Sequence, residues 1–101
     1  MSFHSTSKSE KYFERKLKES IKKKGGLCIK LLSIHHLGLP DRMCLLPGGI
    51  IFFCEIKSTG FEPSPIQKFV AKQLTGLGFN YYIVDNIDLI NKLTGDDDSK
   101  L

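Results

Sequence analysis

The residues best suited to chemistry lie in one short stretch and just before it. Ile50-Ile51-Phe52-Phe53-Cys54-Glu55-Ile56-Lys57 is the most strand-like segment of the chain. Side chains alternate faces along a strand, so Ile50, Phe52, Cys54 and Ile56 point one way while Ile51, Phe53, Glu55 and Lys57 point the other. Glu55 and Lys57 therefore sit side by side. Alone, they could be a solvated strand end with a weak ion pair. Asp41 changes the reading, because it follows Gly38-Leu39-Pro40 at the start of the preceding strand. If those two strands pair as a hairpin, two carboxylates converge beside a lysine. Two hard oxygen ligands with backbone and water oxygens suit Mg²⁺ or Mn²⁺ and leave positions for a phosphate. The chemistry such a set could do is metal-assisted phosphodiester hydrolysis.

The elements that must position these residues are legible from local pattern. Between Ser9 and Lys24, Phe13, Leu17 and Ile21 recur every four residues and predict one apolar stripe of a helix, which Gly25 and Gly26 end. Residues 27–33 read as a strand, a His-, Gly- and Pro-rich turn follows to Pro40, and residues 43–46 read as a second strand. Pro47-Gly48-Gly49 is a hairpin signal leading into the central strand. Ser64-Pro65-Ile66-Gln67 joins an N-cap serine, a first-turn proline and a capping-box glutamine, predicting a helix with Ile66, Phe69, Val70, Leu74 and Leu77 facing inward. Residues 79–84 read as a last strand and 86–93 as a short helix. The expectation is an α/β domain of order αβββαβ with a small helix appended, over residues 1–94, and an acidic tail over 95–101.

Bulk properties narrow the class. A chain of 101 residues has room for one modest core. With 41% hydrophobic and 26% charged residues, it has the composition of an ordinary folded protein rather than a disordered one. No apolar run is long enough to span a bilayer and the N-terminus lacks a signal-peptide pattern, so a cytoplasmic protein is expected. Cys28, Cys44 and Cys54 lie in apolar stretches without zinc spacing, and read as reduced, buried thiols rather than as ligands or redox groups. His35 and His36 read as solvent-facing turn residues. The net charge of +4 is concentrated before residue 25, in Lys8, Lys11, Arg15, Lys16, Lys18, Lys22, Lys23 and Lys24. Such a face attracts a polyanion, although a soluble helix surface carries similar charge. Lys8, Lys11, Arg15 and Lys30 are candidate nucleic-acid contacts.

Pro40-Asp41 followed by Glu55-Ile56-Lys57 resembles the PD-(D/E)xK nuclease signature. Gly38-Leu39-Pro40-Asp41-Arg42, Pro47-Gly48-Gly49, Phe53-Cys54-Glu55-Ile56-Lys57, Ser64-x-x-Gln67 and Leu77-Gly78-Phe79 have the order and spacing of VRR-NUC domains. The chain resembles the compact stand-alone form of that family found in phages, over about residues 10–84. The resemblance implies a restriction-endonuclease-like core with a mixed sheet flanked by helices, and an Mg²⁺- or Mn²⁺-dependent DNA endonuclease. It implies Asp41, Glu55 and the Ile56 carbonyl as metal ligands, Lys57 as catalytic lysine, and Glu14 and Gln67 as further catalytic residues. It also implies a homodimer acting on branched DNA such as four-way junctions, in a phage-infected or lysogenic bacterial host. Glu14 falls on the margin of the helix stripe, where it could face the sheet's end or pair with Lys18; Glu10 ranks second as the helix acid. Gln67 is equally explained as a capping partner of Ser64. A different class of protein, a basic nucleic-acid-binding module without activity, would keep Asp41, Glu55 and Lys57 as structural polar residues and bind without regard to metal.

Overall fold

In the computed structural model, which describes residues 8–95, the chain runs α1 (Glu10–Lys23), β1 (Leu27–Lys30), β2 (Arg42–Leu46), β3 (Ile50–Ile56), α2 (Pro65–Gly76), β4 (Asn80–Val84) and α3 (Ile87–Thr94). The expected element order holds. Ser9 caps α1 by accepting the Tyr12 N–H, and Gly25, at φ +81°, takes the left-handed conformation that turns the chain out of the helix. Asn86 caps α3, and Gly95 closes it with φ 75°. The rest of the expected acidic tail lies outside the described residues.

The four strands form one mixed sheet in the order β1-β2-β3-β4. β1 pairs antiparallel with β2, and β2 with β3 across the Pro47-Gly48-Gly49 turn. β4 returns parallel to β3 after α2, as a parallel pairing requires a crossover rather than a tight hairpin. Strand alternation then sorts the two faces. Cys44, Phe52, Cys54, Ile56 and Val84 meet Phe13, Leu17 and Ile21 of α1 and Ile90 of α3 in one buried cluster. This is the core, and it occupies one side of the sheet.

The other face is covered less. α2 packs chiefly on β4, and of its five expected inward residues only Val70 is buried. Ile66, Phe69 and Leu77 are exposed, which corrects the expectation from periodicity. An apolar stripe marks a face that avoids water, but not whether this chain supplies the cover. Among the described residues no helix is long and apolar enough to cross a membrane.

Candidate active site

The register brings the two carboxylates together. Arg42 pairs with Cys54 across β2 and β3, so continuing the ladder by one residue sets Asp41 opposite Glu55, on the face away from α1. The Leu31 N–H donates to the Asp41 carbonyl at 2.9 Å, extending the sheet through this end. Asp41 Oδ2 accepts the Ile56 N–H at 2.7 Å, which ties its carboxylate to the backbone between Glu55 and Lys57. The approach to Asp41 is tightly built. Gly38 has φ +83°, and a Cβ there would meet the Ile66 carbonyl oxygen at 2.7 Å, so this loop backbone lies against the first turn of α2. Pro40 beside it is fully buried.

Glu55 is 1% exposed although ionisable. Gln67 Nε2 donates to its Oε2 at 3.0 Å, and Lys57 Nζ lies 3.5 Å from the same oxygen. Gln67 Oε1 accepts the Ser64 N–H at 2.8 Å, which leaves only the amide nitrogen to face the carboxylate. The same glutamine therefore closes the capping box of α2 and holds Glu55. Its capping role is filled, and the same side chain reaches Glu55.

The remaining oxygen, Glu55 Oε1, is buried and has no hydrogen-bond partner among the described residues. Burial first, and then the Asp41 carboxylate beside it, push Glu55 up to about 8, against the opposing pull of Lys57. Two carboxylates facing each other have no donor between them when both are ionised, so a proton or a cation must complete the arrangement. The donor set fits a small hard cation: two carboxylates, with the Ile56 backbone running between Glu55 and Lys57. Among the described residues no group of three or more His, Cys, Asp and Glu side chains forms a metal cluster, so waters or phosphate oxygens would fill the other positions.

Other expected residues fall elsewhere. Glu14 Oε2 accepts from Arg42 Nη2 at 2.8 Å and from Nε at 3.1 Å, on the α1 side of the sheet. Its partner is Arg42, not the Lys18 considered from sequence. Glu10 is exposed in the first turn of α1. Lys8, Lys11 and Arg15 are exposed on or beside α1, and Lys30 pairs in register with Arg42, which places it on the α1 side rather than beside Glu55. His35 and His36 are exposed. Cys28, Cys44 and Cys54 are free thiols; hydrogen bonding to Cys44, and then burial, push the Cys28 thiol above its ordinary range.

No protein-family profile matches the chain. It is 36% identical over 80 residues to the phage protein named "Putative nuclease p44", from Acyrthosiphon pisum secondary endosymbiont phage 1, across 79% of this chain and 86% of that one. A solved VRR_NUC domain, 28% identical, superposes with a TM-score of 0.76 over 85% of this chain and 95% of that domain. The chain belongs to the VRR-NUC nuclease family. Its sheet with three helices is the VRR-NUC fold, and two residues of this VRR-NUC domain add to the site read from sequence. Arg42, 7% exposed, binds Glu14 and also donates from Nη1 to the Cys28 carbonyl at 3.3 Å. It thus fastens α1 and β1 to the residue that follows Asp41. Tyr81 sits next to Phe53 across β3 and β4, and its hydroxyl is buried without a partner among the described residues. Burial, then the negative charges of Glu55 and Asp41, push that hydroxyl above its usual range. Alternation along β4 could have put Tyr81 on the Glu55 face, but nothing local in sequence shows that its hydroxyl ends near the carboxylates.

Proposed function

We propose that this chain is a DNA endonuclease that hydrolyses phosphodiester bonds with Mg²⁺ or Mn²⁺, prefers branched DNA such as four-way junctions, and works as a homodimer. The observation that carries the reading is Glu55, a buried carboxylate with one unpartnered oxygen, set against Asp41 and flanked by Lys57 and Gln67. A carboxylate removed from water is costly unless matched by positive charge, and a lysine on one oxygen leaves the other unanswered.

Asp41, Glu55 and the Ile56 carbonyl would hold the cation, which when bound supplies a more acidic water and neutralises charge on the phosphate. Lys57 presents an ammonium beside the scissile group and stabilises the negative charge that develops there. Gln67 keeps Glu55 Oε2 in place from the rigid first turn of α2. Glu14 acts at one remove, through Arg42, by holding the start of β2 where Asp41 stands.

Dimerisation is supported by the open face of the sheet. Leu27, Leu45 and Ile51 form one cross-strand row, and Ile29, Met43, Phe53 and Tyr81 the next. Leu27, Ile29 and Ile51, toward the end of that face away from Asp41 and Glu55, are exposed. Monomers rarely expose apolar patches beyond about 300–600 Å², and a second copy would cover this one. Two symmetric sites would suit paired nicks in a junction.

The test is cleavage of a labelled four-way junction and a matched linear duplex by the parent and by Asp41→Ala, in Mg²⁺, Mn²⁺ and EDTA. Metal-dependent cuts made by the parent alone are expected, with the junction preferred. Retained binding without cleavage under any condition would overturn the reading in favour of a binding module.

A further inference from the structure

The positive charge on α1 is arranged more narrowly than composition implies. At 100° per residue, Lys11, Arg15, Lys18 and Lys22 fall within one stripe opposite the buried Phe13, Leu17 and Ile21. The acids on its margins are already engaged: Glu14 with Arg42 at 2.8 Å, and Glu19 with Arg15 at 3.6 Å. Among the described residues Lys11, Lys18 and Lys22 have no ion-pair partner. Together with Glu14, Arg15 and Glu19 they line an open groove of about 440 Å³.

The stripe is continuous with the edge of the sheet and begins at its chemical end. α1 packs against β1, and Lys30 lies on the α1 side of that edge strand. At the other limit, Lys8 and Thr59 exchange backbone and side-chain hydrogen bonds, two residues beyond Lys57. The cations therefore start beside the Asp41–Glu55–Lys57 end and run away from it on the far side of the sheet. From Lys11 to Lys22 the helix rises about 17 Å, along which duplex DNA presents roughly one phosphate charge per 1.7 Å.

We propose that this face of α1, centred on Lys11, Lys18 and Lys22 with Arg15 and Lys30 at its margins, is a phosphate-backbone track that grips DNA at a distance from the scissile bond. The proposal rests on the nuclease reading for the identity of the polyanion. It gives the chain two DNA-facing surfaces on opposite sides of one sheet, one for cutting and one for holding. The track holds its ligand by charge alone, so it contributes affinity and salt dependence without base selectivity.

The test compares the parent with two triple variants of equal charge change: Lys11, Lys18 and Lys22 to Gln on the track, and Lys23, Lys72 and Lys92 to Gln off it. Binding to a labelled duplex is measured in EDTA across a salt series, so that no cleavage is needed. Each lost phosphate contact lowers the slope of log affinity against log salt by about 0.9, so the track variant should lose about 2–3 units of slope and about tenfold or more in affinity. The off-track variant should stay near the parent, and Lys→Arg at the three track positions should bind as the parent does. In Mg²⁺ the track variant should show a raised KM with kcat kept. Equal losses in both Gln variants, an unchanged salt slope in the track variant, or lost kcat at unchanged KM would each overturn the track. A parent that binds but cuts nothing with either metal would instead refute the nuclease reading, while the salt slopes still decide the track.

Discussion

Gln67 Nε2 donates to Glu55 Oε2 at 3.0 Å while Gln67 Oε1 accepts the Ser64 N–H at 2.8 Å. One amide thus starts a helix and anchors a buried carboxylate. Substituting it should disturb both, whereas Ser64 should matter to the helix alone. Gln67→Ala and Ser64→Ala are each expected to cost about 1–2 kcal/mol of stability, read by urea unfolding. Only Gln67→Ala should also lower metal-dependent cleavage per folded molecule. Equal effects of the two on cleavage would mean that Gln67 acts through the cap.

Glu55 holds its proton more tightly in the folded chain than in the unfolded one, chiefly because it is buried. Below the ordinary carboxylate range both states are protonated and the group is silent. As pH rises from there to about 8 the unfolded chain ionises freely and the native one resists, so the metal-free protein loses stability. Calorimetry in EDTA should show Tm falling over this window, and Glu55→Gln should flatten the fall. A parallel decline in both proteins would assign the pH dependence to other groups.

The Tyr81 hydroxyl is buried without a partner, a state that costs about 1–3 kcal/mol relative to a satisfied or absent hydroxyl. Tyr81→Phe should therefore leave the metal-free protein as stable as the parent or more so, with Tm raised by about 4–8 °C for each kcal/mol relieved. If the hydroxyl meets water or phosphate at the site during the reaction, the same variant should cleave more slowly despite its stability. A clear loss of stability would show that the hydroxyl is satisfied in solution.

Arg42 carries two bonds to Glu14 and one to the Cys28 carbonyl. Removing the acid leaves a nearly buried guanidinium short of its charge partner. Glu14→Gln should destabilise by about 2–3 kcal/mol, and Glu14 and Arg42 should show strong coupling in a double-mutant cycle. Cleavage per folded molecule should fall less than in Asp41→Ala. Unchanged stability with abolished cleavage would instead make Glu14 a direct participant.

If a second copy covers the apolar rows of the open sheet face away from Glu55, a charge in the outer row should prevent that. Ile51, exposed and in the same row as Leu27 and Leu45, is the position to alter. Light scattering should give a dimer for the parent and a monomer for Ile51→Glu, with the fold retained by circular dichroism. A monomeric parent across the accessible concentration range would remove the dimer from the proposal.

Much of this protein was determined by sequence at short range. The four-residue recurrence of Phe13, Leu17 and Ile21 made α1, the Ser64-to-Gln67 box began α2, and the Pro47-Gly48-Gly49 turn forced β2 against β3, because each is a local consequence of backbone period and turn chemistry. Alternation likewise put Glu55 and Lys57 on one face. What tertiary structure alone decided are relationships between distant residues: the diversion of Glu14 to Arg42, the burial of the Tyr81 hydroxyl, and the exposure of Ile66, Phe69 and Leu77 in and beside α2. Each depends on which faces meet, and a local pattern of polar and apolar residues states what a surface prefers without stating what lies against it.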